Sequence, residues 1–374
     1  MLERFYKLDR YIHPNKVLIL YGPRRVGKTT LLTNFLKKTP LKYRLDSGDN
    51  IRIQQVLSSQ DFKLIKEYAE GYELIAIDEA QEIPNIGKGL KILVDEMPNL
   101  TVIATGSSSF HISQQTGEPL TGRKNTLTLF PFAQLELKQM FNSFELKEKL
   151  SDFLIFGSYP DVVLAKTRME KIDILKELVN SYLLKDILAH ESLKGPDVLF
   201  NLLKLLAFQV GQLVSLNELA TQLHIDVKTV DRYLDILQKS FVIYKLSGFS
   251  KNLRKEITSK AKYYFLDNGI RNGIILQFND LESRNDKGLL FENFIATERI
   301  KKYTYENFYG EHYFWRTYDG QEIDFIDTIN NSIKAFECKV SSNKNVSAPS
   351  QWMKNYPKSV FQVISTENYL SYIS

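Results

Sequence analysis

A chain of 374 residues, 43% hydrophobic and 25% charged, has the length for two to four domains and the composition of an ordinary globular protein. This composition excludes a chain that is mainly disordered. The formal charge of +5 is compatible with a nucleic-acid partner but is too small to identify one. Cys338 is the only cysteine, which excludes an internal disulfide and a CxxC metal knuckle.

The first residues and the hydropathy of the chain predict a cytoplasmic protein without a membrane partner. The segment MLERFYKLDRYIHPN carries charges where a signal peptide needs an apolar stretch. No run approaches the roughly 18 uninterrupted apolar residues of a membrane span.

The strongest motif lies between a short β-rich run, VLILY, and a helical one, TTLLTNFLKK. LYGPRRVGKTT fits the pattern GxxxxGK[ST], in which glycines let backbone N–H groups surround phosphates at a helix N-terminus. Lys28 would reach the β- and γ-phosphates of ATP, and the Thr29 hydroxyl would ligate Mg²⁺. The predicted ATP site contains the whole loop: Gly22, Pro23, Arg24, Arg25, Val26, Gly27, Lys28, Thr29 and Thr30.

Three further segments supply candidate residues for phosphoryl transfer. ELIAIDEAQ predicts a strand that ends in Asp78, a Mg²⁺ ligand through water, and Glu79, a general base for the attacking water. NLTVIATGSSSF predicts a strand followed by Ser107, a hydroxyl that could sense the γ-phosphate or belong to an ordinary Ser-rich turn. Arg123 in LTGRK is either an arginine offered to a neighbouring nucleotide, which predicts a homo-oligomer, or a structural residue.

The order of five segments resembles one family. GPRRVGKTT, IDEAQ, TGSSS, LTGRK and FGSYPDVV make the chain similar to bacterial and archaeal AAA-type ATPases with a restriction-endonuclease-like domain at the C-terminus. The resemblance implies an α/β fold: a P-loop αβα sandwich, a helical lid, a winged helix and a C-terminal α/β PD-(D/E)XK-like domain. The boundaries expected for these four parts are residues 1–140, 141–195, 196–275 and 285–374.

The middle of the chain fits the lid and the winged helix that the resemblance implies. Apolar residues at helical spacing predict helices from about residue 141 to 190. Ser215 predicts a helix N-cap, and Val230, Leu234 and Leu237 share one face of the next helix. Its outward face has basic and polar residues that suit DNA but also acids that phosphates repel, so DNA contact and a packing role remain alternatives. These outward residues are Lys228, Thr229, Asp231, Arg232, Asp235 and Gln238, with Leu253–Lys255 on the wing.

The last segment predicts a helix, a three-stranded meander, a helix and a final strand. Asp319-Gly320 and Asn330-Asn331 are typical of the turns between the meander strands. By resemblance to the PD-(D/E)XK fold, Mg²⁺ would be held by Glu292 on the first helix, Asp324 on the second strand and Glu337 on the third. Lys339 would act with that metal on a scissile phosphate. Glu322 shares a strand face with Asp324, so either acid could be the ligand.

Three functions therefore remain open. The first is an ATP-regulated, Mg²⁺-dependent nuclease that acts on DNA. The second is a DNA-binding or remodelling ATPase that does not cleave. The third is a nucleotide-switched module that binds a protein partner.

Overall fold

The computed structural model of the chain describes residues 3–107, 120–183, 195–249, 261–330, 332–341 and 346–374. These residues form two compact units. The N-terminal unit contains residues 4–131 and 239–241, and the C-terminal unit contains Glu3 and residues 132–238 and 242–374. Within the part of the chain that the structure describes, none of the helices has the length and apolar character that a membrane crossing requires.

The N-terminal unit is built on a parallel five-stranded sheet with the order β2-β3-β4-β1-β5. The strands are β1 (Val17–Tyr21), β2 (Tyr43–Ser47), β3 (Leu74–Asp78), β4 (Thr101–Gly106) and β5 (Lys124–Thr128). Apolar runs such as VLILY form the inner strands because helices cover both faces of a parallel sheet. The carboxyl ends of β1, β4 and β3 consequently lie side by side at one edge.

In the described part of this unit, four α-helices accompany the sheet: α1 (Lys28–Leu36), α2 (Ile51–Ser58), α3 (Phe62–Ala69) and α4 (Ile86–Glu96). Side chains cap the N-termini of α2 and α3. The Asn50 side chain accepts from the Arg52 N–H, and the Asp61 side chain accepts from the Lys63 and Leu64 N–H groups. The apolar faces of α2, α3 and α4 join the inner strands in one buried cluster. This core fixes the strand ends that carry the predicted ATP site.

The C-terminal unit begins with short helices, as the spacing predicts. They are α5 (Gln134–Leu137), α6 (Ser143–Glu148), α7 (Leu150–Phe156), α8 (Pro160–Leu164) and α9 (Arg168–Glu177), followed by a π-helical segment (Leu178–Leu183). The prediction of helices is confirmed up to residue 183. The rest of the predicted lid, up to residue 194, lies outside the described residues.

The described residues of the next segment, which leave out 250–260, have the order helix, strand, helix, helix, strand, strand. Its elements are α10 (Pro196–Phe208), β6 (Leu213–Val214), α11 (Leu216–Leu223), α12 (Val227–Lys239), β7 (Ile243–Gly248) and β8 (Ala261–Phe265). The predicted N-cap is confirmed, since the Ser215 hydroxyl accepts from the Glu218 N–H at 3.4 Å. Val230, Leu234 and Leu237 are buried, as predicted for α12. The predicted wing residues Leu253–Lys255 lie outside the described residues.

The final segment contains the predicted helix, meander, helix and strand in that order, with an additional short helix before them (α13) and another after them (α16). Its elements are α13 (Asn268–Ile274), α14 (Lys287–Tyr305), β9 (Glu311–Arg316), β10 (Glu322–Ile329), β11 (Ser332–Lys339), α15 (Ser350–Asn355), β12 (Val360–Ser365) and α16 (Leu370–Ile373). β9, β10 and β11 form an antiparallel meander, and β12 adds in parallel to β11. Gly320 and Asn330 adopt positive φ angles of 84° and 46°, as their turns require.

One sheet runs through the C-terminal unit, with the order β12-β11-β10-β9-β7-β8-β6. The join is a short parallel pairing in which Ser247 and Gly248 of β7 lie opposite Tyr313 and Phe314 of β9. Pairing in this way satisfies backbone groups that would otherwise line an open strand edge. The segments predicted as separate parts at residues 196–275 and 285–374 therefore share a sheet.

Candidate functional site

The predicted phosphate loop connects β1 to α1 and depends on its two glycines. A Cβ atom at Gly22 would lie 2.0 Å from the carbonyl oxygen of Leu129, so the backbones approach too closely for any side chain. Gly27 precedes α1 with a φ of 92°, in the left-handed region that favours glycine. These constraints explain both glycines of the motif by backbone geometry.

The Lys28 ammonium is held inside the loop. Its side chain is buried, and Nζ donates to the carbonyl oxygens of Gly22 at 2.9 Å and Pro23 at 2.8 Å. Arg24 and Arg25 are exposed on the same loop, and Val26 is buried. The loop therefore places several positive charges at the N-terminus of α1, where the helix dipole also favours an anion.

A buried arginine that the sequence did not single out braces this loop. Arg4 donates from Nη1 to the Val26 carbonyl and from Nη2 to the Phe130 carbonyl, both at 2.6 Å. Its side chain is 8% exposed. Because it bonds the loop on one side and the segment after β5 on the other, Arg4 fixes the loop against the sheet.

Asp78 accepts hydrogen bonds from two hydroxyls at the shared strand edge. Thr29 Oγ1 donates to Asp78 Oδ2 at 2.7 Å, and Thr105 Oγ1 donates to Asp78 Oδ1. Thr105 is the residue that sequence reasoning missed, because Ser107 was chosen as the hydroxyl of β4. Ser107 is buried one residue beyond the strand. Only the register of β3 against β4, which sequence does not give, brings Thr105 beside Asp78.

Glu79 follows directly and has a constrained conformation. Its φ is 48°, in the left-handed region, and its N–H donates to Thr105 Oγ1 at 3.2 Å. The carboxylate accepts from Gln81 Nε2. The backbone thus turns sharply after Asp78, so the carboxylates of the two adjacent acids have different partners, although both residues contact Thr105.

The structure does not bring Arg123 to the phosphate loop of its own chain. Its backbone oxygen accepts from the Val17 N–H, at the amino ends of the strands and hence at the opposite edge of the sheet. Its guanidinium, with the side chain 43% exposed, pairs with Asp95 near the end of α4.

A second cluster of charged groups lies in the C-terminal unit and is centred on Lys262 of β8. Its Nζ lies 3.1 Å from Glu292 Oε1, 2.5 Å from Glu322 Oε1 and 3.8 Å from Asp324 Oδ1. The Lys262 side chain is only 1% exposed. Burial would lower the pKa of Lys262, but Glu292, Asp324 and Glu322 more than offset this and raise it, so the ammonium form is retained.

The predicted Glu-x-Lys pair borders this cluster on β11. Lys339 Nζ donates to Glu337 Oε1 at 2.8 Å, and the Lys339 side chain is 45% exposed. Asp324 Oδ2 accepts from the Cys338 N–H at 2.7 Å. Burial, together with the charges of Glu292 and Glu337, raises the pKa of Asp324 well above its ordinary value. The structure thus brings together all the acids that were predicted for this site.

These residues, as arranged, do not fit a metal. Among the described residues, no group of three or more His, Cys, Asp or Glu side chains has the geometry to hold a metal ion. Oxygen ligands for Mg²⁺ are present in type, but two of the predicted ones, Glu292 and Asp324, face the ammonium of Lys262. Sequence reasoning missed Lys262 because it lies in AKYYFL, 30 residues before Glu292.

Comparison with protein families bears on the segment that contains the first of these two sites. Residues 14–138 match the model described as AAA domain. These residues therefore form an AAA domain. Beyond this AAA domain, residues 147–282 and 287–371 match two models described as domains of unknown function, DUF8612 and DUF4143.

Relatives that match 68% to 91% of the chain occur in bacteria and archaea. An uncharacterized protein of Haemophilus influenzae is 27% identical over 280 residues, which cover 68% of each chain. Uncharacterized protein MJ1544 of Methanocaldococcus jannaschii is 25% identical over 84% of this chain and 72% of its own. Uncharacterized protein Rv2008c of Mycobacterium tuberculosis is 28% identical over 91% of this chain and 74% of its own. The similarity therefore extends well past the AAA domain.

Solved structures show a weaker similarity. A Signal Transduction ATPase with Numerous Domains from Pyrococcus horikoshii is 15% identical with a TM-score of 0.28, over 77% of this chain and 44% of that one. The replication initiator DnaA bound to AMPPCP and single-stranded DNA is 16% identical with a TM-score of 0.31, over 62% of this chain and 84% of that one. The chain thus spans less than half the length of the Pyrococcus protein. The assignment of the AAA domain rests on the family match and the loop geometry.

Proposed function

We propose that the AAA domain binds and hydrolyses ATP with Mg²⁺ at the loop between β1 and α1. The observation that carries the proposal is the bridge made by Asp78 between the hydroxyls of Thr29 and Thr105. Hydroxyl and carboxylate oxygens suit Mg²⁺, so Thr29 and Asp78 would hold the ion beside the charge of Lys28. Bound Mg²⁺ would neutralise charge on the phosphates.

The hydrolytic step would be carried by residues at the same strand edge. Glu79 would take a proton from a water molecule whose oxygen attacks the γ-phosphorus, and the bond from that phosphorus to the bridging oxygen of ADP would break. Lys28 and the loop N–H groups would stabilise the charge on the phosphates. Thr105 would orient Asp78 and the Glu79 backbone, and Ser107 stays a candidate for contact with the γ-phosphate.

Four variants test this proposal. Lys28→Ala and Asp78→Asn are expected to weaken ATP binding in the presence of Mg²⁺. Glu79→Gln is expected to retain ATP binding and to lose about 10²–10⁴-fold in kcat. Glu82→Gln, an exposed acid three residues further on, serves as the control. Turnover of Glu79→Gln equal to that of Glu82→Gln would remove Glu79 from the mechanism.

A second candidate function, DNA binding, is favoured by the surface of α12. Lys228 and Arg232 are exposed on this helix, which follows α11 after a tight turn at His224 with a φ of 54°. Asp231 and Asp235 on the same helix are also exposed and would weaken attraction to phosphates. DNA binding would therefore be modest and sensitive to salt.

The measurement for this candidate is DNA binding at increasing salt concentration. Lys228→Ala with Arg232→Ala should weaken binding and reduce the slope of log affinity against log salt by about 2. Lys63→Ala with Lys66→Ala on α3 is the charge-matched control. Equal affinity for the two double variants would favour the other alternative, a nucleotide-switched module that binds a protein partner.

A further inference from the structure

Lys262 is the common partner of three carboxylates that come from two different elements. Glu292 lies on α14, whereas Glu322 and Asp324 lie on one face of β10. All three have an oxygen within 3.8 Å of the Lys262 Nζ. We propose that Lys262 is the permanent counter-cation of this cluster and excludes a divalent metal from it.

The position of Lys262 is fixed by its strand. Within β8 its backbone lies between two partners, opposite Leu246 of β7 and Leu213 of β6. Its ammonium also lies 5.7 Å from the centre of the Phe314 ring. Lys262 is the second residue of β8, its backbone is paired on both sides, and its side chain is buried among the carboxylates.

A second residue of the same strand reinforces this arrangement. Tyr264, two residues after Lys262 and so on the same face of β8, donates its hydroxyl to Glu292 Oε1 at 2.7 Å. That oxygen therefore receives hydrogen bonds from both Lys262 and Tyr264. Two donors of the protein therefore already occupy one oxygen of Glu292, and a metal ion would have to compete with them for this carboxylate.

A divalent cation cannot bind these carboxylates without displacing the Lys262 ammonium from them. An ammonium and a metal ion at one group of carboxylates repel each other, and removal of Lys262 to make room would bury its charge without a partner. Lys339 cannot replace Lys262 as the counter-cation, because Lys339 is half-exposed and pairs with Glu337 at the rim. The buried Lys262, and not Lys339 of the Glu-x-Lys pair, is the cation that these three carboxylates share.

The test is a Mn²⁺ titration of the full chain without nucleotide, followed by the EPR signal of free Mn²⁺. All proteins carry Asp78→Asn, so that the AAA domain contributes as little binding as possible. The parent is expected to bind no Mn²⁺ at the cluster. Lys262→Ala, and the longer Lys262→Met, are expected to gain one site, at least ~10-fold tighter than any site of the parent. Addition of Glu292→Gln should abolish the gained site.

Lys301→Ala is the matched control, because Lys301 is as buried as Lys262 and pairs with Glu298 outside the cluster. It should gain no Mn²⁺ site. The proposal is overturned if the parent binds a Mn²⁺ that Glu292→Gln removes, or if neither Lys262 variant gains a site. It is also overturned if the wild-type chain cleaves DNA in Mn²⁺ and Lys339→Ala abolishes the cleavage. If the Lys262 variants do not fold, the titration of the parent and the cleavage assay still decide the question.

Discussion

The hydroxyl of Thr105 at the end of β4 donates to the carboxylate of Asp78 at the end of β3. The same oxygen of Thr105 accepts from the Glu79 N–H at 3.2 Å. One buried hydroxyl thus orients one acid of the predicted site through its side chain and the other through its backbone.

Replacement of this hydroxyl should impair ATP turnover more than ATP binding. Thr105→Val keeps the shape of the side chain but leaves an oxygen of Asp78 without its donor, which costs about 1.5–3 kcal/mol. We expect a loss of about 10–100-fold in kcat, with Thr105→Ser close to wild type. Thr101→Val, a buried threonine at the other end of β4, is the control. Equal kcat values for the two valine variants would contradict this role.

Removal of Arg4 should loosen the phosphate loop. Arg4→Ala leaves the carbonyls of Val26 and Phe130 without their donors, so the free energy of unfolding should fall by about 1–3 kcal/mol and the Kd for ATP should rise. Thermal denaturation and nucleotide titration measure the two effects. Arg10→Ala, an exposed arginine close by in sequence, should change neither. An Arg4→Ala variant that behaves like Arg10→Ala would show that the loop does not depend on this brace.

The role of Arg123 can be separated from its ion pair. If a neighbouring copy uses Arg123 at its nucleotide, Arg123→Ala should lose about 10³-fold or more in kcat while Asp95→Asn keeps its activity. If Arg123 only pairs with Asp95, the two variants should lose the same small amount of stability, and neither should lose turnover.

A mixing experiment makes this prediction specific to an assembly. If Arg123 acts on a neighbouring nucleotide, Lys28→Ala and Arg123→Ala proteins should each have little activity alone. A mixture should then regain turnover, because a wild-type loop can meet a wild-type Arg123 across an interface. Steady-state ATPase assays over a range of mixing ratios measure this. A mixture as inactive as its components would argue against a shared site.

Asp327 should make the C-terminal unit sensitive to acid. Burial would raise the pKa of Asp327, but hydrogen bonds from His312 and Tyr303 and the charge of Arg299 outweigh it and hold the pKa below its ordinary value. The folded state therefore binds the proton less readily than the unfolded state does. The resulting stability is present above the unfolded pKa, near 4, and is lost as the pH falls through the lower folded value.

The measurement is chemical denaturation of wild type, Asp327→Asn and Asp173→Asn between pH 7 and pH 3. Asp327→Asn should be less stable than wild type at pH 7, and this difference should shrink as the pH falls. Asp173→Asn, at an exposed position on α9, should follow the wild-type curve. A difference that does not depend on pH would show that the carboxylate charge is not what stabilises this site.

The effects of substitutions at Glu298 and Lys301 on the free energy of unfolding should be strongly coupled. Both side chains are 1% exposed, with Lys301 Nζ 2.6 Å from Glu298 Oε1. Glu298→Gln or Lys301→Met alone leaves a buried charge without its partner, which costs about 3–5 kcal/mol. The double variant should be destabilised by clearly less than the sum of the two single variants. Additive effects in denaturation experiments would mean that the pair is not coupled.

The sequence predicted the helices, strands and local motifs better than it predicted the side-chain contacts between distant segments. The P-loop, the acidic strand end and the helix, meander, helix, strand order all follow from local patterns, because glycines, alternation and turn residues act within a few positions. Thr105 and Lys262 were missed because their importance comes from strand register, and the sequence does not reveal which residue of another strand lies opposite. Arg4 was missed for the same reason, since its partners lie 22 and 126 residues away.

The parallel pairing of β7 with β9 has a practical consequence for fragments of this protein. A chain cut between α13 and α14 would keep β7 but lose the strand that covers its outer edge. Exposed backbone groups on such an edge recruit strands from other molecules, so this fragment should aggregate when it is expressed alone. A cut next to residue 131, before α5, severs no strand of the seven-stranded sheet, and the chain from residue 132 onwards is the fragment to purify.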